Sequence, residues 1–120
     1  MIVVIDADRI ADWETFHDVF AETFGFPGFY GRNMDAWIDC MTHLDDPDDG
    51  LSSVTVKRGE IVTLAIERID GLATRCPSIF ESLVDCCAFV NWRRIERGAA
   101  PLLALSFYKD KRLFGVHRVG

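Results

Sequence analysis

The stretch FPGFYGRNMDAWIDCMTHLDD, residues 26–46, passes from a glycine-bracketed aromatic turn into a short helix, with four acids between Asn33 and Asp46 and no Lys or Arg among them. Asn33 is a favourable N-cap, and from there about 100° per residue sets Asp35, Asp39, Thr42 and Asp46 on one stripe. Met34, Trp37, Met41 and Leu44 fall on the opposite stripe, which is therefore the buried one. Carboxylates spaced i, i+4 repel by roughly 0.2–0.5 kcal/mol, so the acid stripe is a standing cost unless a partner uses it.

Outward from this helix, residues 2–5 (IVVI) read as a buried strand of the parallel-sheet type, closed by Asp6. Asp12 caps a first helix whose apolar positions Trp13, Phe16, Phe20 and Phe24 recur at three and four, and Gly25 with Pro27 stops it. Beyond the acidic loop DDPDDG, residues 54–56 and 61–66 read as two strands joined as an inserted hairpin around Lys57 to Glu60. Gly71 marks a turn. A long helix follows, with Pro77 near its start and Phe80, Leu83, Cys87 and Val90 facing inward. Its basic end, WRRIERG, complements the negative pole of the helix dipole. Residues 102–107 form a last apolar strand, and the tail beyond is basic. The expected class is α/β: a short, mainly parallel sheet packed by helices, with residues 1–107 as the domain and 108–120 as a tail.

Composition narrows the function. At 120 residues the chain holds one core, and its apolar runs stop short of the roughly 18 residues that span a bilayer. Residues 33–56 carry six acids and no Lys or Arg, residues 1–32 six acids against two bases, and residues 57–120 seven against eleven. Nucleic acid would want the opposite sign on the binding face, so a basic protein is the better partner. Cys40, Cys76, Cys86 and Cys87 match no zinc spacing and read as reduced thiols, with the cytoplasm as the expected compartment. No cofactor is expected, and the free chain is expected to be a monomer.

Three meanings are open for the acid stripe. It is a solvated face; or Asp35, Asp39 and His43 form a metal or acid-base site of a small hydrolase; or the stripe mimics a polyanion beside the apolar anchors Phe29, Tyr30 and Ile38. His17 and His117 stand isolated in the sequence.

The run FPGFYGRNMDAWIDCMT, residues 26–42, resembles the motif of the barstar family, in which P-x-[FY]-Y-G-x-N-x-D-A is followed by Asp-Cys and then Thr. The resemblance implies an intracellular inhibitor of a secreted ribonuclease, without chemistry of its own, whose second helix and preceding loop plug the nuclease active site. On this pattern Asp39 sits where a substrate phosphate would and Asp35 meets basic groups beside it. Phe29, Gly31, Asn33, Ile38, Thr42 and His43 line the same surface, with Tyr30 among them. The chain departs from the pattern at Phe29, where a tyrosine is common, and at Ile38 and Leu44, which replace bulky aromatics. The family's acid on the last helix has no counterpart in the basic run Trp92, Arg93, Arg94. A regulatory or immunity module for a partner other than a nuclease is the alternative on the same fold.

Overall fold

The computed structural model describes residues 1–110; the remainder of the expected basic tail, with His117, lies outside them. Three strands, β1 (Ile2–Asp6), β2 (Val62–Glu67) and β3 (Leu103–Phe107), form a wholly parallel sheet in the order β1-β2-β3. The register aligns Ile5 with Ile66 and Ile66 with Phe107. β2 is central, and five of its six residues are buried, as a parallel strand covered on both faces requires.

The crossover from β1 to β2 carries α1 (Trp13–Phe24) and α2 (Met34–Thr42); that from β2 to β3 carries α3 (Ile69–Arg75) and α4 (Pro77–Glu96). Asp12 caps α1 as its sequence predicts, accepting from the Thr15 amide at 2.8 Å while the Thr15 hydroxyl accepts from the Asp12 amide at 3.0 Å. Gly25 ends the helix in the left-handed region, with φ of 65°. A Cβ there would also lie 2.4 Å from the Ser53 hydroxyl, so conformation and space both call for glycine.

The core lies between the helices and the sheet. Phe16, Phe20 and Phe24 of α1 form a ring column that meets Trp37 of α2, with centroids 4.7 Å apart for Phe16–Phe20 and 5.6 Å for Phe20–Trp37. Trp37 and Met41 are fully buried, and these two side chains fix which face of α2 looks outward. α2 packs on α4, and α4 on α3 and β3.

The expected hairpin does not form. Residues 54–56 make no strand, and β2 begins at Val62 with β1 and β3 occupying both of its edges. Segment 53–56 instead satisfies carbonyls near the helix ends: the Ser53 and Val54 amides donate to Phe24 O at 2.8 and 3.2 Å, and the Val56 amide to Leu44 O at 3.0 Å. Gly71 lies inside α3, not in a turn, and the absence of a Cβ there leaves room for Arg75, whose guanidinium donates to Ala7 O and Ile10 O at 2.9 Å each. On α4 the core position belongs to Ile79, while Phe80 is half-buried against Phe107.

Candidate partner-binding site

The loop between α1 and α2 is tied down from below. The Tyr30 amide donates to Pro27 O at 2.9 Å, closing a turn, and the Tyr30 hydroxyl lies 2.6 Å from Nδ1 of His17, a buried residue of α1. Burial pushes the Tyr30 phenol up and the His17 imidazole down. Arg32, at φ of 53°, reaches back to Asp18 at 2.7 Å and to Glu14 O at 2.9 Å. Held this way, the loop carries Phe29 at its tip, 78 % exposed. A solvated face gives no reason for so large an apolar surface, whereas a docking face does.

Asn33 then starts α2 as its sequence predicts, accepting from the Ala36 amide at 2.8 Å and donating to Gly31 O at 3.3 Å. Gly31, Asn33, Asp35 and Asp39 are exposed, and Ile38 is half-buried. Asp39 borders a cavity of about 220 Å³ with Phe29, Tyr30, Gly31 and Cys40 among its walls. The loop, the first turns of α2 and Asp39 thus form one continuous surface.

The expected stripe ends sooner than the sequence implies. Thr42 is buried, its hydroxyl donating to Ile38 O at 2.6 Å, and α2 stops there, so Asp46 is not on the helix. Nor do Asp35, Asp39 and His43 converge. His43 meets Asp49 at 2.6 Å, and with Asp46 these are the donors that cluster within 4.8 Å among the described residues.

Two bases that the helix-dipole reading had explained are brought to the acids by the packing of α4 on α2. The Arg94 side chain is 9 % exposed and forks onto Asp45 at 2.7 and 3.0 Å, while also donating to Thr42 O and Ala100 O at 2.9 Å each. These hydrogen bonds hold the Asp45 carboxyl below its usual range. Arg94 therefore pins the C-terminal end of α2. Arg93 lies 3.5 Å from Asp39. The clue in the sequence was an acidic segment with no local counter-charge and a basic run far along the chain.

All four thiols are free. Cys40, buried beside Asp39 on α2, is pushed up to about 11 by burial, and Cys87 to about 12.

The parallel three-stranded sheet thus presents, on its first crossover, an acidic helix beside an exposed aromatic loop tip. The profile of the family described as Barstar (barnase inhibitor) matches residues 1–104, and the chain belongs to that family. It is also similar to a protein of Bacillus subtilis (strain 168) named "Putative ribonuclease inhibitor YrdF", with 40 % identity over 40 residues. That match covers 33 % of this chain and 44 % of the Bacillus protein. Among the described residues no helix is long and apolar enough to cross a membrane.

Proposed function

We propose that this protein is an inhibitor of a basic ribonuclease or related toxin, blocking its active site with residues 33–44 and the preceding loop, and has no catalysis of its own. The observation that carries the reading is the juxtaposition of the exposed acids Asp35 and Asp39 with Phe29, 78 % exposed, on a loop locked by Tyr30 and Arg32. Family membership and the name of the Bacillus relative support it. Asp39 acts as the phosphate surrogate, and Asp35 neutralises cations beside it. Phe29 fills an apolar recess of the nuclease, while Tyr30 and Asn33 hold the loop and the helix start in register. His43 closes the surface at the end of α2, with Thr42 buried beneath it and bonded to Ile38 O. The partner is a protein, and neither nucleic acid nor membrane is engaged directly. The free thiols fit a reducing cytoplasm and a monomeric inhibitor that protects its own cell.

Preorganised loop geometry lowers the ordering cost of association, and the negative field accelerates encounter with a positive cleft. The test is inhibition of barnase, the ribonuclease that the family description names, with association rates measured between low and high salt. Inhibition with an on-rate that falls steeply as salt rises supports the reading. Absence of inhibition, or a flat salt profile, counts against it. Binding without inhibition would move the protein to the regulatory alternative.

A further inference from the structure

Asp39 is not a bare acid in the free protein. One guanidinium nitrogen of Arg93 lies 3.5 Å from its Oδ1, a single-point contact. The two partners are unequally placed: the Asp39 side chain is 62 % exposed, that of Arg93 only 23 %. Arg93 is held down by an aromatic floor, its guanidinium carbon 5.8 Å from the centroid of the Phe89 ring, which in turn rests against Trp92 at 5.7 Å. A guanidinium immobilised over a ring has already lost part of its rotamer freedom, so it stays beside Asp39 at little extra cost. Phe89 and Trp92 are themselves exposed.

We propose that Arg93 is a built-in competitor for Asp39 and a specificity-determining residue of the docking face; the proposal rests on the inhibitor reading above. A cation that a partner brings to Asp39 must share the carboxylate with Arg93, and one that takes both oxygens must displace it. Because the internal contact is single-pointed, a partner arginine that can fork onto the carboxylate with two parallel hydrogen bonds wins the exchange. A lone lysine ammonium, a compact and strongly hydrated charge, gains less from it. The released Arg93 keeps its seat on Phe89 but needs a new acceptor, so the partner that fits presents an arginine-bearing cleft with a carboxylate or carbonyl beside it. A uniformly positive surface is disfavoured by the repulsion from Arg93.

The test compares Arg93→Gln with Arg97→Gln, which removes the same charge four residues on, at the C-cap just after α4, where the structure gives no ion pair to Asp39. Both variants and the wild type are titrated against barnase, with thermal unfolding as the check on folding. If Arg93 competes for Asp39, Arg93→Gln tightens inhibition about two- to fivefold, the span expected of an exposed ion pair, and Arg97→Gln changes it by clearly less. Inhibition by Arg93→Gln where the wild type is inactive supports the same conclusion, since Arg93 is then what excludes this nuclease. An unchanged or weaker Arg93→Gln, or an equal gain in Arg97→Gln, overturns the competitor role while leaving the inhibitor reading intact. If neither the wild type nor Arg93→Gln inhibits, the inhibitor reading fails and the proposal falls with it.

Discussion

Replacing Arg94 by methionine keeps much of the apolar stem but removes four hydrogen bonds at once: two to Asp45, one to Thr42 O and one to Ala100 O. The Asp45 side chain is only 13 % exposed, so its carboxylate would be left largely desolvated and alone. Breaking a buried ion pair from one side costs about 3–5 kcal/mol, and the residual exposure here places the loss near the lower end, about 3 kcal/mol. For a domain of this size that corresponds to a fall in Tm of roughly 10–15 °C. Asp45 adds a signature in pH. Its folded-state pKa is depressed, so the pair contributes stability above the unfolded value of about 3.9, and this is lost as pH falls through the folded pKa. Urea unfolding of wild type and variant from pH 7 down to pH 3 should therefore show two curves that are well separated at neutral pH and approach each other in acid. Adding Asp45→Leu to the variant should recover part of the loss, because the stranded charge is gone. A loss under about 1 kcal/mol at neutral pH, or a gap that does not narrow in acid, would refute the argument that Arg94 pins α2 through a desolvated pair.

His17 is depressed by burial, so the unfolded chain binds its proton first; stability should decline as pH falls below about 6.5, and His17→Gln should flatten that decline in chemical unfolding. Thiol titration of denatured protein without reductant should count all four cysteines, whereas in the native state Cys40 and Cys87 should react slowest, because both are buried and held as neutral thiols. A count short of four would contradict the reduced state.

Local chemistry explains what the sequence disclosed. Asp12, Gly25 and Asn33 are caps whose partners lie within a few residues, so the bounds of α1 and the start of α2 follow from spacing alone. The apolar runs of β1, β2 and β3 are long enough to announce buried parallel strands. Residues 54–56 misled for a physical reason: alternation reports burial, and Val56 is buried against the core without any strand beside it. α3 is seven residues long with a glycine inside, too short for a periodic signal. At the site, Phe29, Gly31, Asn33, Asp35 and Asp39 are all exposed, and Phe29, Gly31 and Asp39 border one cavity. The burial of Thr42 and the approach of Arg93 and Arg94 depend on how α4 crosses α2, a contact between residues about fifty positions apart.

The central claim is that Asp39 is the phosphate surrogate, and the most direct measurement is inhibition of barnase by Asp39→Ala beside Asp48→Ala, with thermal unfolding of both. Repulsion from Asp35 and attraction to Arg93 nearly cancel in the free protein, so Asp39→Ala should shift stability by no more than about 0.5 kcal/mol. Inhibition should weaken by about 2–5 kcal/mol, roughly thirtyfold to several thousandfold, a range to which the barnase–barstar complex itself contributes. Asp48→Ala, at an exposed residue of the turn after α2, should change it by only a few-fold. Equal weakening in the two variants would mean that the acids act as a diffuse field, and the active-site plug would be contradicted.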